Sequence, residues 1–349
     1  PAQAGDDRRR PPAARRAPRL VRSSFLALLA LAWACGGAPD AASDEASTEP
    51  ADVALAPLPE GAVTRSLLGE PLFPADIPAE TRAVYEANLE AAFADYTAAP
   101  EDADAIIWYG RRLAYLGRYA EAIEIYSQGM VLHPGDARMY RHRGHRRISI
   151  RDLDGAIDDF LAGVERIRGT EDEVEPDGLP NARGIPTSTL HFNIWYHLGL
   201  AHYLQGDFER ALLAWNDCLA VSNNPDAVVA TTYWLHNALR RLGLDDQADL
   251  LLSEISADMD IIENTAYHDV LLLHKGEKTA EELAGPMGDD ATLSSTTTSY
   301  GVAVWHLVNG RRDTAYGMFE SILENGGQWA AFGYVAAEAE MARLEAEGG

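Results

Sequence analysis

The sequence predicts an all-α fold, a solenoid of antiparallel helix pairs, and three observations carry that prediction. Gly110 and Gly144, Ala122 and Ala156, and Tyr126 and Phe160 are each 34 residues apart. The same residue types return at Gly199, Ala211 and Trp215, 55 residues on in every case, which is one period plus an insertion of 21. Near the C-terminus, Trp329, Phe332, Val335, Ala336, Ala339 and Leu344 keep a helical spacing. A fixed period of this length is the signature of stacked supersecondary units.

The chain has 349 residues, of which 47% are hydrophobic and 24% charged, so it can bury a substantial core. Its net charge of -25 is unevenly spread. Residues 1–34 hold seven arginines and two acids, which leaves 22 bases against 52 acids after them. That balance excludes a phosphate backbone as the natural partner, and no nucleic acid is expected.

Residues 1–34 read as a signal peptide: arginines, then the ten-residue apolar run 25–34, then small residues at Ala32 and Ala34. Ten residues are too few to span a bilayer as a helix. The basic stretch before the run, and a start at Pro1, suggest a fragment or a misplaced start. Leu31-Ala32-Trp33-Ala34-Cys35-Gly36 resembles the lipobox of bacterial lipoproteins, which implies lipidation at Cys35. The usual leucine position holds Ala32, so ordinary cleavage after Ala34 stays open as the rival. Gly36, rather than an aspartate, implies outer-membrane sorting facing the periplasm, with a periplasmic or secreted protein as the alternative. The membrane is then met by the lipid anchor only, and several acyl chains are needed for stable anchoring. Residues 35–77 read as a disordered tether, and 78–349 as the helical domain. With Cys35 so used, Cys218 has no partner and reads as an inert buried thiol.

The periodic part resembles the tetratricopeptide repeat family. The unit at 192–225 shows Trp195, Leu198, Gly199, Gly206, Ala211 and Trp215 in the family's order, and the unit at 103–136 shows Gly110, Gly117, Ala122, Tyr126 and Pro134. The unit at 137–170 keeps Tyr140, Gly144, Ala156 and Phe160, but Arg143, Arg147 and Arg151 replace a core apolar residue, an aromatic and the turn glycine. The register continues through Leu235, Gly243, Ala248 and Leu252 in 229–262. It weakens in 263–295, where the second helix looks short, and recovers at Gly310, Ala315 and Phe319 in 296–329. A capping amphipathic helix is expected over 329–346. Small residues let paired helices approach while the aromatics fill the gaps, and stacking buries faces that no pair buries alone.

The resemblance implies that the second, fifth, ninth and twelfth places of each first helix face a concave groove. In the first four units those sixteen places include Arg111, Arg138, Arg141, His145, Asn193, Tyr196, Tyr203, Tyr233, Asn237 and Arg240. Four are arginines and one, Asp104, is acidic, an inversion of the overall charge. Guanidinium forks hold carboxylates and amides pair with extended backbone, so the expected ligand is a protein or peptide carrying an acidic segment or free C-terminus. The competing expectation is that these arginines pair with glutamates on adjacent helices and merely solvate the surface. The 21-residue insertion, roughly 169–190, contains EDEVEPDGLPNARGIPTST; its prolines and glycines exclude a long helix. It is expected to be disordered or to fold across the groove as a lid whose acids occupy the arginines.

No cofactor, metal or catalytic residue is expected. His142 and His145 sit among arginines, His197 and His202 are five apart, and His236, His268, His274 and His306 stand singly. The acids at 171–177 lack calcium-loop spacing, and no phosphate loop, nucleophile elbow or zinc-protease motif occurs. The sequence therefore reads as an envelope adaptor or assembly scaffold, not an enzyme. An envelope hydrolase or enzyme accessory subunit on the same scaffold, and a purely structural oligomer, are the alternatives.

Overall fold

The computed structural model describes residues 57–285, 292–324 and 326–348. The expected signal peptide over 1–34, lipidation at Cys35 and the first part of the tether lie outside the described residues. Among the described residues there are thirteen α-helices and one two-stranded antiparallel sheet, and no helix long and apolar enough to cross a membrane.

The tether expectation fails from residue 57 onward. β1 (Thr64–Arg65) pairs with β2 (Pro71–Leu72), and Leu72 is buried in the main core. The Thr64 hydroxyl donates to the Ile150 carbonyl at 2.7 Å, and the Leu67 N–H donates to the Glu338 carboxylate at 3.2 Å. Local composition reads as a spacer here because the surfaces that order the hairpin belong to distant residues.

Helix α1 (Ala79–Ala98) precedes the periodic part. The hairpins follow in the predicted register: α2 (Ala103–Tyr115) with α3 (Tyr119–Leu132), α4 (Ala137–Ser149) with α5 (Leu153–Ile167), and α6 (Leu190–Gln205) with α7 (Phe208–Val221). Then come α8 (Pro225–Arg241) with α9 (Asp245–Leu252), α10 (Thr265–His274), and α11 (Leu293–Val308) with α12 (Arg312–Leu323). The unit expected at 229–262 starts earlier, because Asn224 caps α8 by accepting from the Ala227 N–H and Pro225 fits the first helical turn. In the unit at 263–295 no second α-helix occurs among the described residues.

The local reasons for these boundaries are short polar residues. Asp102, Asp136, Asp152, Thr189 and Asp207 each accept a hydrogen bond from a first-turn N–H of the helix they precede. Turns within hairpins use a left-handed residue, Gly117 at φ 75° in the first. Arg151 takes the matching place in the second at φ 68°, a conformation that costs an arginine about 1–3 kcal/mol.

The predicted small-to-aromatic contacts form in all three units. A methyl group on Gly110 would stand 2.5 Å from the Tyr126 ring, on Gly144 2.8 Å from Phe160, and on Gly199 2.5 Å from Trp215. Each aromatic is 0–1% exposed, so the helices of a pair approach to a distance only glycine permits. Trp215 stacks on Trp234 at 5.9 Å, which carries the same spine into the next unit.

The last helix departs from expectation. α13 (Phe332–Gly348) was expected to close the array as an amphipathic cap, with one face in solvent. Tyr334, Val335, Ala336, Ala337, Glu338, Ala339 and Glu340 are instead all buried. α13 packs between α6, α11 and α12, and Gly333 brings it so close to α11 that a methyl there would meet the Thr296 carbonyl at 2.9 Å. Small residues on every side, not an apolar stripe, make that interior position possible.

Candidate functional site

The groove places predicted from sequence are covered by the chain itself, from two directions. The insertion forms a strap. It leaves α5, makes an antiparallel bridge between Val174 and Thr189, and returns to the start of α6. Its far side is tied to the segment before α10, where Arg183 pairs with Asp260 at 2.7 Å and Asn181 donates to Glu263 at 2.8 Å. Thr187 donates to Glu263 and its carbonyl accepts from Asn224 at 2.9 Å.

Three predicted site residues converge under this strap. Glu175 meets Arg141, Nε to Oε2 at 2.9 Å, and the same oxygen accepts from Asn193 Nδ2 at 2.9 Å. The two charged side chains are only 10% and 9% exposed. Burial pulls the Arg141 guanidinium below its ordinary range, and Glu175 opposes that shift. Arg111 donates to the Pro176 carbonyl at 2.7 Å, and Arg112, which the groove register did not single out, donates to the Gly178 carbonyl at 3.2 Å. Both guanidiniums lie over Trp108, at 4.4 Å and 5.0 Å from the ring centre. The strap, Arg111 and Arg141 line a polar cavity of about 170 Å³ together with Asp177 and Glu263.

The other predicted arginines do not join this cluster. Arg138 pairs with Asp104 and Asp136, both at 2.6 Å, and its pKa is raised, chiefly by the hydrogen bond to Asp136. Arg240 pairs with Asp245 at 2.8 Å. These two arginines form ion pairs as the competing expectation had it, but with aspartates in place of the glutamates it named. Tyr203, Tyr233 and Asn237 are 0–1% exposed. The Tyr203 hydroxyl accepts from Tyr300 of α11 at 3.0 Å, and Tyr233 packs on Tyr267 of α10 at 4.5 Å. They are core where an open trough was expected, because α11 and α10 pack against them through Tyr300 and Tyr267.

α13 supplies the second cover. Phe332 contacts His145, Tyr196 and His197 with ring centres 5.4, 6.5 and 5.5 Å apart. Arg141 donates to Nδ1 of His142 at 3.1 Å and lies 3.4 Å from that of His145. His145 and His197, 4.5 Å apart, are both driven well below the usual histidine range, first by burial and then by Arg146 and Arg141 respectively. Farther along, Glu338 pairs with Arg151 at 2.6 Å with side chains 1% and 4% exposed, and Glu340 pairs with Arg241 at 2.5 Å and Arg343 at 2.8 Å. The left-handed backbone of Arg151 is thus held by a guanidinium that also donates to the Ser149 and Trp329 carbonyls at 2.6 and 2.7 Å. Groove periodicity had no means of selecting Glu338 and Glu340. The only sequence signal was Arg151 itself, an arginine where the turn prefers glycine.

Among the described residues no group of three histidine, cysteine, aspartate or glutamate side chains is placed to hold a metal ion. Cys218 is fully buried and its thiol pKa is pushed up to about 12 by burial, which leaves it unreactive.

These stacked hairpins have the tetratricopeptide architecture, an all-α solenoid of two-helix units. No family model and no curated protein matches the sequence. Solved structures similar to it include YrrB, described as a TPR protein with an unusual peptide-binding site. It is 14% identical with a TM-score of 0.40, over 72% of this chain and 99% of that one. The MamA protein is 18% identical with a TM-score of 0.39, over 58% of this chain and 88% of that one. Superpositions this loose say nothing about ligand or partner, and the repeat assignment rests on the register of this chain's own hairpins.

Proposed function

We propose that the protein is a non-catalytic interaction scaffold whose groove takes an acidic, extended segment of a partner protein at Arg111, Arg141 and Asn193. The supporting observation is the seat of Glu175: a nearly dry carboxylate on a guanidinium and an amide, delivered by a strap whose remaining ties are mostly exposed polar contacts. A partner carboxylate that replaces Glu175 inherits the same two contacts, and the strap's other polar groups return to water at little cost. The arginine-rich start, the apolar run and Cys35 support placing this scaffold at a bacterial envelope, held by a lipid anchor.

The test of the groove uses a fluorescent hexaglutamate peptide. Deleting 171–188, or replacing Glu175→Gln in the full chain, strengthens its binding, and Arg111→Glu with Arg141→Glu abolishes it. Unchanged or weaker affinity in both strap variants refutes the reading. Cys35→Ser releasing the chain from the membrane fraction tests the anchor, and membrane retention of that variant overturns it.

A further inference from the structure

If the strap stands where a partner binds, its sequence describes that partner. We propose that the groove recognises an extended Glu-Pro-X-Gly segment, the pattern at residues 175–178, an inference that rests on the function proposed above. Each place in the pattern meets a different part of the surface. The glutamate supplies the carboxylate for Arg141 and Asn193. His142 Nε2 lies 3.8 Å from its second oxygen, so both oxygens face donors. Proline at the next place has no N–H to satisfy, and it biases the glutamate before it toward extended backbone. Within the strap itself the Glu175 N–H donates to the Ser188 carbonyl at 3.3 Å, a contact a partner segment would not need to copy. The Pro176 carbonyl then accepts from Arg111.

The third place is open. Asp177 turns its carboxylate back to accept from the Leu179 N–H at 3.0 Å, along the cavity that Arg111 also lines. The fourth place is closed to side chains. A methyl on Gly178 would overlap the Tyr115 hydroxyl and stand 2.9 Å from the Arg111 guanidinium. Both are the ends of half-buried side chains, and moving them aside disturbs the ring contacts that hold them. Arg111 is stacked on Trp108 and within 3.4 Å of the Tyr115 hydroxyl, and Arg112 lies over both rings. The wall of Trp108, Arg111, Arg112 and Tyr115 is therefore a shelf that donates to two backbone carbonyls and demands glycine beside the second. An acidic peptide without this geometry would satisfy only Arg141 and Asn193.

Deleting 171–188 leaves Arg168, Gly169, Thr170 and Thr189 between α5 and α6, the same length as the His133–Asp136 connection between α3 and α4. Thr189 also keeps its capping contact to the Phe192 N–H. The experiment measures fluorescence anisotropy of a peptide with the sequence of residues 172–180 on that deleted protein. In the peptide, the changes equivalent to Glu175→Gln and Gly178→Ala each weaken binding by roughly tenfold or more. The change equivalent to Asp177→Ala leaves affinity unchanged, and a scrambled peptide binds no better than hexaglutamate. Equal binding of the scrambled or the alanine-for-glycine peptide overturns the motif while leaving a general acidic groove in place; failure of every acidic peptide overturns both readings. Should the deleted protein not fold, Gly178→Ala in the intact chain gives the second measurement. Amide hydrogen exchange at 171–188 then accelerates while the helices stay protected, and unchanged protection of the strap contradicts the motif.

Discussion

The chain covers itself at two places, and the two covers are built differently. At the strap, Glu175 is the one deeply placed carboxylate; Arg183 and Asp260, 46% and 73% exposed, carry much of the remaining hold, and other contacts go to backbone carbonyls. At α13, Glu338 and Glu340 are at most 2% exposed and each is held by arginine. Both places set carboxylate against guanidinium, so charge pairing alone does not separate a removable cover from a core. Burial does. A buried pair cannot lose one member cheaply, whereas an exposed pair exchanges its partner for water.

The largest effect expected is at the α13 side. Arg151→Ala leaves Glu338 buried without its partner and lowers stability by about 3–5 kcal/mol in urea unfolding. Relief of the left-handed backbone does not offset this. Adding Glu338→Leu recovers most of the loss, and a double variant as unstable as the single one contradicts the account. Acid should act next. Burial and Arg141 hold His197 well below the ordinary range, and burial with Arg240 holds His236 down to about 3. The unfolded chain therefore binds protons first. Stability is complete above about pH 6.5 and falls as pH drops toward the folded values, by about 2 kcal/mol per histidine at pH 5. Urea midpoints at pH 7 and pH 5 check this, and a flat profile refutes it. Gly333→Ala, which presses α13 on the Thr296 carbonyl, costs about 1–3 kcal/mol. Arg183→Ala should be the mildest: the urea midpoint stays put while exchange of the strap amides quickens, and a clear loss of stability would make the strap part of the core.

The sequence made the repeat spine legible because its chemistry is local and recurrent. Gly110, Gly144 and Gly199 face Tyr126, Phe160 and Trp215, as the common register required. That Arg111, Arg141 and Asn193 fall in one register was legible, and so was the possibility that acids of 171–177 reach them. The closure was not. Whether Tyr203 and Tyr233 line a trough or lie under α11 and α10 depends on how small rotations accumulate from unit to unit, which no single repeat encodes. Nothing local marks Glu338 and Glu340 as buried, because their partners, Arg151 and Arg241, are 187 and 99 residues away in sequence. The β1–β2 hairpin stayed hidden for the same reason.

The interior position of α13 sets an order of events in the life of the chain. Helical hairpins of a linear array can become native one after another as they leave the ribosome, each needing only its predecessor. Here residues 332–348 are translated after every unit they hold together, so Arg151 and Arg241 wait, unneutralised, until the end arrives. A ribosome paused before residue 332 should display hairpins that are formed yet protease-sensitive, with maturation gained in one late step.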